Sequence, residues 1–142
     1  RYLDDDGAPL LRPSRLVVTR GGAGGSAGSG AGGGMRLEGE HAFSLMTPLA
    51  RLSLGLAPFW GEGPGAIALT HAGWPLTGFR RAMVKVLAGR TGPGLGAHGL
   101  TSWRGDGFEI DHDGPVMIDG EMLPAAAGRL SVTPTPPLAF LR

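Results

Sequence analysis

The sequence predicts a mainly β fold of the α+β class, a β-sandwich-like domain with one or two short helices. The 27 glycines and 12 prolines among 142 residues are well above ordinary usage, which indicates many turns between short elements. Apolar and polar residues alternate over 108–113 and again over 130–132, as they do in half-buried strands. A chain of this length buries roughly 68–70% of its unfolded surface, enough for one domain with its own core.

Composition excludes several classes of protein. No cysteine is present, so disulfide frameworks, thiolate metal sites and cysteine nucleophiles are excluded, and a reducing cytoplasm fits. The formal net charge is only +1, which supplies no uniform field for nucleic acid, and we expect no nucleic-acid partner. No apolar run reaches the ~20 residues of a membrane span. The chain opens at Arg1 without a methionine, and the basic and apolar segments of a signal peptide do not follow. We therefore expect the chain to begin partway through a longer polypeptide.

The chain divides into three segments. Residues 1–20 are predicted to belong to the main domain and to contain a strand at 16–18, where β-branched residues suit a pleated surface. Residues 21–34 are only glycine, alanine and serine, which predicts a flexible loop or linker because such side chains offer nothing to pack. Residues 35–142 are predicted to form the rest of the β-rich domain.

A first short helix is predicted near 48–56. Thr47 is a favourable N-cap residue, and Pro48 suits the first helical position. Leucines recur through the segment at helical spacing. A loop rich in glycine and proline follows, and then a strand at 66–70.

A second helix is predicted over 76–88, with its apolar residues on one buried face and Gly89 placed to end it. The apolar residues of that face are Leu76, Phe79, Met83, Val86 and Leu87. Arg80, Arg81 and Lys85 occupy the rest of its surface. This basic face has two interpretations, an ordinary solvated surface or a contact for an anionic membrane or a phosphate-bearing ligand.

Near the C-terminus, the strand predicted at 116–118 runs into Asp119, Gly120 and Glu121. Asp-Gly between apolar segments is the strongest short-range signal for a hairpin turn. A carboxylate held at the end of a strand can also accept a proton from a bound hydroxyl. The residues alone leave both interpretations open.

Metal ligands are not predicted. Asp111, His112 and Asp113 are the only local cluster, and on a strand the two carboxylates share one face while the imidazole points to the other. The four histidines lack the spacing of a metal-binding helix. No G-x-x-x-x-G-K-[S/T] phosphate loop occurs. Gly28, Gly30 and Gly33 have the spacing of a dinucleotide fingerprint, but a run this dense in glycine matches by chance and no helix pattern follows it directly.

The order of several stretches resembles a known family. These stretches are GLAPFWGEGPG, AIALTHA, PLTGFRRAMVKVLAGR and FEIDHDGPVMIDGE, followed by GRLSVTPTPPLAFLR. In this order they resemble the C-terminal domain of the bacterial diacylglycerol kinase and sphingosine kinase-like lipid kinase family. The resemblance covers most of the chain outside residues 21–34.

The resemblance implies a β-sandwich domain that supports the lipid acceptor in an ATP-dependent lipid kinase. Such an enzyme phosphorylates the hydroxyl of a diacylglycerol or sphingoid base. The family carries an Asp-Gly-Glu near its C-terminus whose glutamate accepts the proton of that hydroxyl. By this match Glu121 is the general base and Asp119 the supporting residue of the turn.

The resemblance also implies where the other components lie. ATP and Mg²⁺ are bound mainly by an N-terminal nucleotide-binding domain, whose Gly-Gly-Asp-Gly-Thr signature does not occur in this sequence. We therefore expect no cofactor and no metal in this chain, and no kinase activity from it alone. Arg80, Arg81 and Lys85 are the expected contacts with an anionic membrane, which implies a cytoplasmic, peripherally membrane-associated enzyme.

A second hypothesis involves no catalysis. In it the chain is a β-sandwich binding module for lipid, carbohydrate or protein, and Asp119 and Gly120 form only a hairpin turn.

Overall fold

The computed structural model describes residues 13–20, 35–123 and 128–136. The predicted linker at 21–34 lies outside them. The strands are β1 (Ser14–Arg20), β2 (Arg36–Thr47), β3 (Ile67–Gly73), β4 (Leu100–Gly105), β5 (Phe108–His112), β6 (Val116–Ile118), β7 (Glu121–Leu123) and β8 (Gly128–Val132). The α-helix is α1 (Phe79–Leu87), and 3₁₀ turns cover Ser53–Gly55 and Pro93–His98.

The strands form one antiparallel sheet and one hairpin. The sheet contains six strands in the order β4-β3-β2-β1-β5-β8, and β6 pairs with β7 alone. Neighbours along the chain are often neighbours in the sheet, as short connections favour. The predicted mainly β fold with short helices is confirmed.

The sheet bends at β2. Residues 36–41 of this strand pair with β1, whereas residues 41–47 pair with β3. The register shifts between His41 and Phe43, and such a bulge bends a strand and increases its twist. The two halves of the sheet share this bent strand, as in sandwiches whose strands pass from one sheet to the other.

Side chains from both halves pack into one apolar core. Its buried members are Leu16, Val18, Ile67, Leu69, Phe108 and Ile110. They occupy alternate positions of β1, β3 and β5, because successive strand residues point to opposite faces. β1 and β5 therefore meet β3 across the fold, although β2 separates them in the sheet.

The other face of β3 and β4 is covered by α1 and the second 3₁₀ turn. The buried side chains of this second core are Ala72, Leu100, Ala82, Val86 and Leu95. The predicted helix at 76–88 is confirmed, but it begins at Phe79 because Gly78 takes a left-handed conformation immediately before it. Leu87 was expected on the buried face and is instead 58% exposed.

The loop between the first 3₁₀ turn and β3 crosses this same face of the sheet. The hydroxyl of Ser102 accepts hydrogen bonds from the backbone N–H groups of Trp60, at 3.2 Å, and Gly61, at 3.0 Å. It donates to the carbonyl of Leu69 at 3.0 Å. One serine side chain thus satisfies two backbone donors of the loop and attaches them to the sheet.

The α-helix predicted near 48–56 is wrong. Thr47 still belongs to β2, where it pairs with Ala68, and the segment forms only the 3₁₀ turn Ser53–Gly55. The Thr47 hydroxyl accepts the N–H of Leu49 at 3.1 Å, as an N-cap does. Leu49 is nevertheless 59% exposed, so an apolar helix face would have nothing to pack against here.

Gly65→Ala is expected to destabilise the fold by at least about 2 kcal/mol. Gly65 has a φ of 129°, and a Cβ atom at this position would overlap the backbone of Gly105. Such a φ costs an alanine about 1–3 kcal/mol, and overpacking adds about as much again. Urea unfolding measures the loss.

Gly94→Ala is the matched control, because a Cβ atom there meets nothing within 4 Å. We expect the control to stay within about 0.5 kcal/mol of the wild type. Equal stabilities for the two variants would contradict the close backbone approach of Gly65 to Gly105.

Candidate functional site

The predicted Asp-Gly turn is the tip of the hairpin formed by β6 and β7. Asp119 has a φ of 51° and Gly120 a φ of 87°, and a type I′ turn requires positive φ at both central residues. Ile118 pairs with Glu121 directly across the turn. The predicted hairpin is confirmed, and its ladder holds the backbone of Glu121 in a defined position.

The hairpin exposes apolar side chains on both faces. Met117 and Met122 lie opposite each other on one face and are 62% and 56% exposed. Ile118 and Leu123 point to the other face together with Glu121, and all three are exposed. The carboxylate of Glu121 therefore stands between apolar neighbours on an accessible surface.

The hairpin leaves the sheet beside the bend of β2. It follows β5, which ends at His112, and the intervening Gly114 lies against the side chain of Ser14. Ser14 pairs with His41, where the bulge of β2 begins. The topology thus brings the hairpin and the inner side of the bend to the same end of the sheet.

Two buried histidines occupy the inner side of the bend. The rings of His41 and His71 stack with their centroids 5.8 Å apart and their planes at 22°. Nδ1 of His41 lies 2.7 Å from the carbonyl oxygen of Ser14 and donates to it. Nδ1 of His71 lies 2.9 Å from the hydroxyl of Ser44. Hydrogen bonds to Ser14 and Ser44 and the stacking of the two rings therefore hold both imidazoles in place.

Burial keeps both imidazoles neutral at physiological pH. Burial and, to a smaller extent, the neighbouring His41 lower the pKa of His71 to about 4. Burial also lowers the pKa of His41, against the opposing effects of its hydrogen bond to Ser14 and of the nearby Asp113. The hydroxyl of Thr101, opposite His71 on β4, is buried and makes no hydrogen bond within the described residues.

The pair formed by Ser44 and His71 has the composition of a nucleophile and its base, but not the required proton affinity. A general base works best when its pKa lies near the working pH. A pKa of about 4 leaves His71 a weak base at neutral pH. We therefore assign the histidine pair to the structure of the bend. Sequence reasoning missed it, because 30 residues separate the two histidines and only the pairing of β2 with β3 unites them.

The local cluster at 111–113 serves the sheet. Asp111 forms an ion pair with Arg129 of β8 at 2.9 Å, and the Asp113 carboxylate accepts the backbone N–H of Arg15 at 2.7 Å. Nδ1 of His112 donates to the carbonyl of Gly114 at 2.9 Å. Within the described ranges no group of three or more histidine or carboxylate side chains is placed to hold a metal ion.

The predicted basic residues lie on a different element from Glu121. Arg80, Arg81 and Lys85 are all on exposed positions of α1, as expected. The same surface carries Val84 and Leu87, which are 65% and 58% exposed. Cations around exposed apolar side chains are typical of helices that lie at a membrane interface. No helix in the part of the chain that the structure describes is long and apolar enough to span a bilayer.

Comparison with known proteins identifies no relative: no protein-family model matches the chain, and neither curated proteins nor solved structures show a significant match.

Proposed function

We propose that this chain is the lipid-acceptor domain of an ATP-dependent lipid kinase, with Glu121 as the general base. The observation that carries the proposal is the β6–β7 hairpin, which presents one glutamate between exposed apolar side chains at the end of a sheet. The reaction is inferred from the family resemblance of the sequence. The hairpin supports the choice of Glu121 as the general base.

The hairpin meets the physical requirements of a general base. Proton acceptance requires a carboxylate within hydrogen-bond reach of the substrate hydroxyl, and Glu121 is accessible to an external ligand. Phosphoryl transfer asks the protein mainly for alignment and charge stabilisation. The type I′ turn and the pairing of Ile118 with Glu121 restrict the position of the carboxylate. Asp119 supports it by accepting the positive φ that the turn demands, which aspartate tolerates better than most residues.

The neighbours of Glu121 favour a lipid over a polar acceptor. Ile118 and Leu123 lie on its face of the hairpin, and Met117 and Met122 cover the opposite face. Methionine is flexible and polarizable, so it adapts to acyl chains of different shape. A hydroxyl carried by an acyl glycerol or sphingoid base would meet the carboxylate beside apolar side chains that can contact its acyl chain.

The proposal places ATP and Mg²⁺ outside this chain. The sequence contains no G-x-x-x-x-G-K-[S/T] phosphate loop. In the proposal both belong to an N-terminal nucleotide-binding domain, which lines the other side of the lipid cleft. The cytoplasm and the surface of an anionic membrane are the proposed location, with Arg80, Arg81 and Lys85 facing the lipid headgroups.

The test of the function is transfer of the γ-phosphate of labelled ATP to lipid by the full-length protein. Diacylglycerol and a sphingoid base, each presented in vesicles, are the acceptors. We expect a labelled phospholipid product from one of them. The binding-module hypothesis predicts cosedimentation with a ligand but no labelled lipid at any acceptor concentration, and this result would refute the kinase proposal.

A further inference from the structure

A shallow depression lies at the C-terminal end of α1. Its volume is about 240 Å³. The residues that line it are Lys85, Arg90, Thr91, Gly92, Gly94 and Leu95. Two of them are cations, one is a hydroxyl donor, and none is acidic.

The end of the helix places the two cations together. Gly89 has a φ of 68°, and its N–H bonds to the carbonyl of Val86 at 3.0 Å. The N–H of Arg90 bonds to the carbonyl of Lys85 at 2.8 Å. This pair of bonds is the Schellman arrangement, which reverses the chain after a helix. Arg90 is thereby returned to the turn that carries Lys85.

The floor of the depression is anchored while its surface stays open. Leu95 is buried in the second core, and its N–H bonds to the carbonyl of Gly92 at 3.0 Å. A Cβ atom added at Gly92 or Gly94 would meet nothing within 4 Å, so the backbone above this floor faces open space. A ligand of the size of a phosphate group can therefore approach the backbone closely.

No carboxylate among the described residues forms an ion pair with the cations of the depression. Lys85 and Arg90 are exposed and form no ion pair with the described residues, whereas Arg15, Arg36 and Arg129 do. The sequence contains no aspartate or glutamate between Glu62 and Asp106. Two adjacent cations without a carboxylate nearby favour an anionic partner.

The apolar residues beside the depression point to one source of that anion. Val84 and Leu87 lie on the exposed side of α1 and are 65% and 58% exposed. Around the helix axis Val84 lies between Leu87 and Lys85, because successive residues of an α-helix are about 100° apart. Their exposure to water is unfavourable, whereas their burial at the acyl boundary of a bilayer is favourable. A free phosphate ion would use the cations and leave these side chains in water.

We infer that Lys85, Arg90 and Thr91 form a binding site for the phosphate headgroup of an anionic phospholipid, with Val84 and Leu87 entering the bilayer interface beside it. The cations pair with the phosphate oxygens and Thr91 donates to them. The inference deepens the proposed membrane contact and rests on it, but not on the chemistry of Glu121.

The test is cosedimentation of the full-length protein with vesicles, without ATP. Vesicles of phosphatidylcholine alone are compared with vesicles that also contain phosphatidic acid or phosphatidylglycerol. We expect binding to the anionic vesicles only, and a roughly 30-fold loss for Lys85→Gln/Arg90→Gln, which corresponds to about 1 kcal/mol for each basic residue. The double variant Arg15→Gln/Arg51→Gln removes the same charge elsewhere and should change binding about threefold at most, since screening limits distant charges.

Further variants distinguish a phospholipid headgroup from a free phosphate ion as the bound anion. Val84→Ser/Leu87→Ser should weaken vesicle binding by roughly tenfold while leaving the Arg90 side-chain NMR signal equally responsive to inorganic phosphate. If both charge variants lost vesicle binding equally, the binding would depend only on net charge, and the inference would be overturned. Phosphate binding without vesicle binding would overturn it as well. Both outcomes differ from failure of the proposed kinase, which is read from labelled lipid.

Discussion

Glu121→Gln in the full-length protein is expected to lower kcat for the proposed lipid phosphorylation by roughly a hundredfold to ten-thousandfold, the range typical of a lost general base. Glutamine has the shape of glutamate but cannot accept a proton from the acceptor hydroxyl. The residue is exposed in a two-stranded ladder, so the substitution leaves the hairpin intact. The measurement is initial-rate transfer of labelled phosphate to lipid at saturating ATP and acceptor.

Asp119→Asn is the matched control. It removes one negative charge two residues from Glu121, and asparagine accepts the positive φ that this position requires. We expect the control to keep kcat within about threefold of the wild type, because position 119 shapes the turn and takes no proton. Retention of most activity by Glu121→Gln would remove Glu121 from the mechanism. Equal losses in both variants would assign the effect to the charge of the tip instead.

Acid is expected to destabilise the fold through His71. This side chain is 5% exposed, and burial lowers its pKa from 6.5 to about 4. The folded state therefore binds its proton less readily than the unfolded state. The stability that the neutral His71 contributes is fully present above pH 6.5, the pKa of this side chain in the unfolded state. It is lost as the pH falls from 6.5 to about 4, by roughly 3 kcal/mol in all.

The groups that surround His71 do not reverse this sign. His41 stacks on it and loses proton affinity through burial in the same direction. Asp113 acts on His41 and opposes the effect only in part. The free energy of unfolding, measured in urea across this pH window, should therefore fall more steeply than carboxylates alone would cause.

Two variants isolate the contribution of His71. His71→Asn keeps a partner for Ser44 but does not titrate, so its stability should depend less on pH below 6.5. His98→Asn is the matched substitution, because it replaces a histidine outside the buried pair, whose Nδ1 lies 3.1 Å from the carbonyl oxygen of Thr77. If the free energy of unfolding of His71→Asn depended on pH as strongly as that of the wild type, the acid effect could not be assigned to His71.

Several elements were predictable because their signals are local. Residues 16–18 lie in β1, the alternation at 108–112 is β5, and 116–118 is β6. The helix predicted over 76–88 forms because its apolar spacing matches the second core and Gly89 ends it. In each case the pattern within the segment agrees with the partner that the fold supplies.

β2 was not predicted, for a physical reason. Its 12 residues include Gly39, Glu38 and Glu40, which disfavour strands, and the bulge after His41 interrupts the two-residue period of a strand. The strand exists because β1 and β3 pair with its two halves. The leucines and Pro48 that follow it predict a helix that begins at Thr47. The pairing with Ala68, which keeps Thr47 in the sheet, leaves no signal in the local sequence.

The type I′ turn at Asp119 and Gly120 was decided by the sequence, because only a few residue types adopt positive φ at both central positions and these two lie between apolar strands. The positions of Ile118, Met122 and Leu123 around Glu121 follow from the same short segment, because strand residues alternate between two faces. Tertiary structure alone decided the bend of β2, the stacking of His41 on His71 and the return of the hairpin to that end of the sheet. These depend on pairings between residues far apart in the chain, whose free energy comes from burial in a shared core and not from any local preference.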